Sequence, residues 1–145
     1  YLTSNQTALS ANTWTTVLFQ AEEIDTDGIH DTGSNTSKLV LPLVGKWLIV
    51  ANAYIDYTNI GGPGVIGIRI IKNGSTATVY GDNVGGAGTG GSVDVAVTTA
   101  AIVSTSATSD YVEMQGICSG ASGTFVIGDA ASLRLTRFAA CYIGE

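Results

Sequence analysis

The sequence has little charge, and its basic residues are especially few. Charged residues make up 12% of the 145 residues, about half of the usual share, and only six are lysine or arginine. The formal net charge is −6. Six basic residues cannot form the positive stripe with which proteins follow phosphate backbones or anionic lipids, so we expect neither nucleic acid nor a membrane surface as a partner.

Long apolar runs and helical patterns are also missing. No apolar stretch approaches the ~20 residues of a membrane-spanning helix, so we expect no insertion into a membrane. The first residues lack the basic and apolar regions of a signal peptide. Because the chain does not begin with methionine, we expect it to be trimmed, processed or part of a longer protein.

Cysteine and histidine are too scarce for most catalytic or metal chemistry. Cys118 and Cys141 do not form a disulfide framework, and each is expected to be a small buried apolar residue, although a single bridge between them stays open. His30 is the only histidine, and no Gly-x-Ser-x-Gly nucleophile motif accompanies it. The sequence therefore predicts a protein that is not an enzyme and needs no cofactor.

An acidic loop is the best candidate for a metal site. Asp25, Asp27 and Asp31 are close in the sequence, and hard cations prefer clustered oxygen ligands. A helix–loop–helix calcium site also needs a glutamate about eleven residues after its first aspartate, where this chain has Thr36. The three aspartates are therefore weak candidate ligands, and the alternative is a solvated loop with Asx-turns.

Strand patterns recur along the whole chain. In residues 46–57, alternate apolar residues share one face, as the period of two requires. Asn73-Gly74 supplies the positive φ angles of a tight hairpin turn. Further strands are predicted at residues 14–19, 37–41, 65–71, 76–80, 93–103, 110–118 and 133–143, with turns or loops at 61–64, 85–91 and 119–123.

These patterns predict an all-β fold, a β-sandwich or jelly roll of about eight to ten strands. We expect one domain over residues 1–145, with residues 1–12 as an N-terminal arm. The low charge and the high apolar content, 45% of residues, also favour a subunit interface that covers part of the surface.

Four short motifs carry a family resemblance. GKWLI at residues 45–49 opens a long strand, KNG at residues 72–74 forms a hairpin, DYVEM at residues 110–114 starts a late strand, and FAACYI at residues 138–143 ends the chain. In this order they resemble the globular head of complement one-q, in the tumour-necrosis-factor-like jelly-roll superfamily. Ser109 and Ala140 stand where that family has glycine.

The loop DTDGIHD at residues 25–31, followed by SKL at residues 37–39, is more similar to one-q-like domains of bacteriophage structural proteins. The resemblance implies a non-enzymatic homotrimer of jelly rolls on the virion surface, which decorates or stabilises the capsid and contacts other capsid or tail proteins. One alternative is a tail-fibre or receptor-binding tip that contacts a glycan or protein of the host surface. Another is a secreted, extracellular ligand-binding module.

Aromatic residues of the late strands are the predicted contacts of the trimer. Aromatic side chains are enriched in the cores of interfaces. Under the resemblance, Tyr111, Phe138 and Tyr142 are therefore the candidate interface residues.

Overall fold

The computed structural model describes residues 1–57, 64–87, 93–119, 124–128 and 135–145, without the side chains of residues 85–87 and 93–94. In these residues the chain is all-β, as the sequence predicts, and its strands form two antiparallel sheets. The strands are β1 Gln6–Ser10, β2 Thr15–Thr16, β3 His30–Asp31, β4 Asn35–Val40, β5 Gly45–Tyr57, β6 Gly64–Lys72, β7 Ser75–Ala87, β8 Val93–Thr105, β9 Tyr111–Ser119, β10 Thr124–Ile127 and β11 Arg137–Gly144.

The first sheet, sheet A, is built around β5. Strand β8 pairs with β5 along its whole length. On the other edge, β10 pairs with the end of β5 and β11 pairs with its first half, so these two strands follow one another along one side. Strand β1 extends the sheet beyond β10.

The second sheet, sheet B, has the order β3-β4-β9-β6-β7, and β2 also pairs with β9. Its β6–β7 hairpin turns at Asn73 and Gly74, whose φ angles are 53° and 68°. Two positive φ values in succession are those of the tight primed turn that the sequence predicts. That prediction is confirmed.

The core lies between the two sheets and follows the alternation of the strands. Every odd-numbered residue of β5 from Trp47 to Tyr57 is buried. From the opposite sheet, the isoleucines of β6 at 66, 68 and 70 and three residues of β9 face them, namely Val112, Met114 and Cys118. The predicted inward face of β5 is confirmed.

The predicted N-terminal arm, residues 1–12, belongs to the body of the sandwich. Leu2 is fully buried in the core, and β1 pairs with β10. The amide of Ala21 also donates to the carbonyl of Tyr1 at 3.2 Å. The segment packs against the sandwich because the side chain of Leu2 is buried in the core and backbone groups of the segment form hydrogen bonds with the rest of the fold.

The predicted strand bounds need several corrections. The strand predicted at residues 14–19 is reduced to β2, because the chain leaves β9 after Val17 and the amide of Phe19 donates to Thr36 instead. Val17 and Phe19 of this segment are both buried in the core. Strand β7 runs on to Ala87, into the predicted connection at 85–91; residues 58–63, 88–92, 120–123 and 129–134 lie outside the described residues.

Candidate interaction surface

The outward side of sheet A carries an apolar patch that no described residue covers. It consists of the side chains on β5, β8 and β11 that point away from the core, and we call it the outer apolar face. Its members are Leu48, Val50, Ala100, Ile102, Ala139, Cys141 and Ile143.

The register of the three strands makes this face continuous. Leu48 of β5 pairs with Cys141 of β11 on one side and with Ile102 of β8 on the other. One step along, Val50 is flanked in the same way by Ala139 and Ala100. Side chains in directly opposite positions lie within contact distance, so the two rows form one surface. Ile102, 59% exposed, stands out furthest from it.

The face becomes polar toward the far end of β5. There the hydroxyl of Thr98 donates to the side-chain oxygen of Asn52 at 2.8 Å, and the amide nitrogen of Asn52 donates to the carbonyl of Leu135. Arg137 forms an ion pair with Glu23 at 3.1 Å. An apolar region with a polar boundary is the arrangement found at protein–protein interfaces.

The outward side of sheet B carries charged residues as well as exposed valines, among them Val65 and Val84. The guanidinium of Arg69 lies 4.2 Å from the centre of the Trp14 ring and donates to Gln115 at 2.8 Å. The ammonium of Lys38 lies 4.2 Å from the centre of the Tyr111 ring. These interactions cover aromatic surface of sheet B with charge, whereas the outer apolar face of sheet A has no charged member.

The predicted interface residues lie elsewhere. Tyr111 is on the outward side of sheet B, under Lys38. Phe138 and Tyr142 are on β11, but they point inward: Phe138 stacks on Phe19, with ring centres 5.8 Å apart, and Tyr142 meets Trp47 edge-on at 5.3 Å. Their role in a trimer remains a prediction, and the intervening residues of β11 are the ones that face outward.

The carboxylates of the acidic loop are occupied by backbone amides. Asp25 accepts hydrogen bonds from the amides of Ile29 and His30 at 2.9 and 3.0 Å. Burial would raise the pKa of Asp25, but these bonds outweigh it and lower the pKa. Asp31 accepts from the hydroxyl of Ser34 and from the amide of Gly33 at 2.8 Å, and these bonds lower its pKa too.

The hydrogen bond from the amide of Gly33 to Asp31 forms an Asx-turn. A loop with Asx-turns is the alternative to a metal site that the sequence predicts. Among the described residues, no group of three histidine, cysteine, aspartate or glutamate side chains is arranged to hold a metal ion. Asp25, Asp27 and Asp31 are therefore not brought together as a ligand set.

His30 holds the same loop to the sheet. Its side chain is 5% exposed; Nδ1 lies 3.3 Å from a carboxylate oxygen of Glu22, and Nε2 lies 3.3 Å from the carbonyl of Thr36. The ring also meets Phe19 edge-on. Both ring nitrogens are thus engaged in holding the loop.

The two cysteines have opposite environments and are not bridged. Cys118 is buried, as expected, and burial raises the pKa of its thiol to about 11. Cys141 is exposed on the outer apolar face, so the expectation of burial is wrong for it. It alternates with Phe138 and Tyr142 on β11 and therefore points to the other side of the sheet.

Sequence reasoning missed the outer apolar face, although a signal was present. A strand with one face in the core and one face in solvent normally alternates apolar and polar residues. In β5 the outward positions 48 and 50 are leucine and valine, and in β8 position 102 is isoleucine. Such a run marks a strand that is apolar on both sides near its start.

No protein-family model matches the chain, and the search of curated proteins found no match. Among the residues that the structure describes, there is no helix with the length and apolar character that a membrane crossing requires.

Proposed function

We propose that this chain is a non-enzymatic structural protein that assembles through its outer apolar face into a homotrimer on the surface of a bacteriophage virion. There it decorates or stabilises the capsid. The observation that carries the proposal is the outer apolar face itself, a continuous patch on sheet A that no described part of the chain covers.

Burial of this face in a subunit contact is favourable by the hydrophobic effect, at roughly 25 cal/mol for each Å² of apolar surface. The distribution of charged residues also favours a contact through this face. Each copy carries a net charge of −6 and therefore repels other copies. The face has no carboxylate among its seven members, so it brings no acidic side chain of its own into a contact between copies.

The strand order supports a jelly roll. Among the described strands, six of the ten connections pass from one sheet to the other, namely β1–β2, β4–β5, β5–β6, β7–β8, β8–β9 and β9–β10. Repeated crossings between two sheets are typical of Greek keys, from which jelly rolls are built. The proposed trimer has a cyclic, head-to-tail contact, in which the face of one copy meets a different surface of the next.

The engagement of the titratable groups supports a non-enzymatic role. His30, Asp25 and Asp31 hold the loop at residues 22–36, and the carboxylate of Asp110 accepts hydrogen bonds from side chains and amides around it. Groups fixed in this way stabilise structure, whereas a general acid or base needs access to a substrate proton.

The virion location rests on the sequence resemblance to one-q-like domains of phage structural proteins. A trimer presents three copies of any docking surface around one axis, so weak contacts with neighbouring shell subunits add through effective concentration. Such a protein stabilises a shell without chemistry.

Deletion of the gene from the phage genome tests the proposed location on the virion. We expect particles that lack trimeric knobs on the shell and rupture at a lower temperature. Intact shells that no longer adsorb to cells would instead assign the protein to a tail-fibre or receptor-binding tip. Unchanged particles, with the protein free in the medium, would contradict the virion proposal and favour a secreted module.

A further inference from the structure

Strand β11 has one edge that no described strand pairs with. Its partner on the other edge is β5, and the register joins Phe138 to Ala51, Ala140 to Ile49 and Tyr142 to Trp47. An antiparallel strand directs the backbone groups of alternate residues to opposite edges. The hydrogen bonds of β5 therefore show which residues of β11 turn their backbone amides and carbonyls toward β5 and which turn them toward the unpaired edge.

Even-numbered residues of β5 bond toward β10 and β11. The carbonyl of Tyr54 accepts from the amide of Gly128 at 2.7 Å, and the amide of Tyr54 donates to the hydroxyl of Thr136 at 3.0 Å. The odd-numbered Gly45 bonds instead to Thr105 of β8. The β11 residues opposite odd-numbered positions therefore turn their amides and carbonyls away from β5, and these are Phe138, Ala140 and Tyr142.

A groove runs along this free edge. Two cavities, of about 380 and 310 Å³, lie between β11 and the loop at residues 22–29. They share four lining residues, Ile24, Asp25, Ile29 and Ala140, and so follow one another along the strand. We call them together the edge groove.

The edge groove combines an apolar floor with an acidic wall. Phe138, Ala140, Tyr142 and Trp47 line the floor, and Ile24, 84% exposed, stands at the rim of both cavities. The wall carries the carboxylates of Glu22, Glu23, Asp25 and Asp27, which outnumber the guanidinium of Arg137 and the amino group of Tyr1.

We propose that the edge groove binds an extended segment of a partner protein, rich in alternating apolar and basic residues, by β-strand addition to β11. The amides and carbonyls of β11 that turn away from β5 provide the main-chain ladder, as in other sheets that accept a peptide strand. Apolar side chains of the segment fill the floor and cover Ile24, and its lysine or arginine side chains meet the acidic wall.

A second copy of this chain fits the edge groove less well than a basic partner. The chain has only six basic residues and a net charge of −6, so its own segments do not match the acidic wall. The edge groove adjoins the outer apolar face along β11, because Ala139 and Cys141 of that face also line its two cavities. The proposal itself rests on the unpaired edge of β11 and on the acidic wall, and neither requires the proposed trimer.

Fluorescence anisotropy with a short labelled peptide of alternating lysine and valine tests the proposal. We expect saturable binding to the whole protein that weakens with added salt. The same peptide, methylated on the amide nitrogens of one edge, should bind at least about tenfold more weakly, because methylation removes the donors of the ladder. Equal binding of the two peptides, or no binding, would overturn strand addition.

The matched protein variants are Ala140→Pro and Asp27→Asn. Proline is tolerated where its missing amide faces a free edge, so Ala140→Pro should keep the pairing with β5, verified by circular dichroism, and lose peptide binding. Asp27→Asn should weaken binding and reduce its salt dependence. Undiminished binding to a folded Ala140→Pro would contradict the proposal. A loss of self-assembly in Ala140→Pro would do so too, since it would show a second copy on this edge.

Discussion

Asp110 ties two loops of the sandwich together. Its carboxylate accepts from the ammonium of Lys72 at 2.8 Å, from the side chain of Asn73 at 2.8 Å and from the amides of Ser106 and Ala107 at 2.8 and 3.3 Å. The carboxylate is 7% exposed. It therefore connects the β6–β7 hairpin to the turn between β8 and β9.

Replacement of Asp110 by asparagine should lower the free energy of unfolding by on the order of 3 kcal/mol, because it leaves the charge of Lys72 without its partner. Urea denaturation measures the change. Asp27→Asn, in an exposed position, is the control and should stay within about 0.5 kcal/mol of the natural chain. Equal stability of the two variants would show that the Asp110 cluster contributes little.

The same cluster should make the protein sensitive to acid. Burial would raise the pKa of Asp110, but the bonds from Lys72, Asn73 and the amides outweigh it, and the pKa lies well below its ordinary value of 3.8. A carboxyl with a lowered pKa stabilises the fold at pH values above its ordinary pKa, and this contribution is lost as the pH falls further.

The stability difference between the natural chain and Asp110→Asn should therefore be largest near neutral pH and shrink below about pH 4. Urea denaturation of both proteins across this pH range measures it. A difference that grows toward acid would contradict the assigned sign.

The cysteines offer a footprint of the outer apolar face. Cys118 should resist thiol reagents in the folded protein, because burial both shields it and raises the pKa of its thiol. Cys141 should react in the monomer and become protected on assembly. Mass spectrometry after alkylation at low and high protein concentration measures the labelling of each cysteine. Labelling of Cys141 that does not depend on protein concentration would show that the subunit contact lies outside the outer apolar face.

At the residue scale, the buried positions of a strand were predictable where its other side faces solvent and carries polar residues. The isoleucine and alanine positions of β5 followed from the period of two. Cys141 and the outward leucine and valine of β5 did not, because both sides of these strands are apolar. Residue type then gives no information about which side faces the core.

Among the elements, the β6–β7 hairpin depends on its glycine. Gly74 has a φ of 68°, and an added Cβ would lie 3.1 Å from the Tyr111 hydroxyl. Gly74→Ala should therefore lower the free energy of unfolding by about 1–2 kcal/mol. Gly28→Ala shares a φ of 62° but meets no atom within 4 Å, so thermal melting should show a smaller loss. Equal losses would mean that backbone strain alone matters.

Most long strands were easier to predict than the short ones, although β7, with 13 residues, was predicted only over residues 76–80. Strands β5, β6 and β9 have clear alternation, and their bounds were predicted within one or two residues. Strands β1, β3 and β10 were missed, since each is two to five residues long and owes its conformation to a partner. For the edge groove, the sequence identified the acidic loop but could not show that β11 has a free edge beside it.

For the whole molecule, the sequence predicted an all-β fold but not the contents of each sheet. Sheet membership depends on long-range pairing, such as β5 with β8, which no local pattern encodes. The outer apolar face emerges only when β5, β8 and β11 lie side by side. The proposed trimer depends on this assembled surface, and it has to be tested on the whole protein.

Light scattering of the natural chain, compared with Ile102→Lys, tests the central claim most directly. We expect about 44 kDa for the natural chain, three times 14.8 kDa, and 14.8 kDa for Ile102→Lys, because a buried ammonium on the outer apolar face opposes assembly. Val84→Lys, on sheet B, changes an exposed apolar residue to the same charge and should remain a trimer. A natural chain that stays monomeric at all concentrations, a dimer, or a trimer that survives Ile102→Lys would contradict the account.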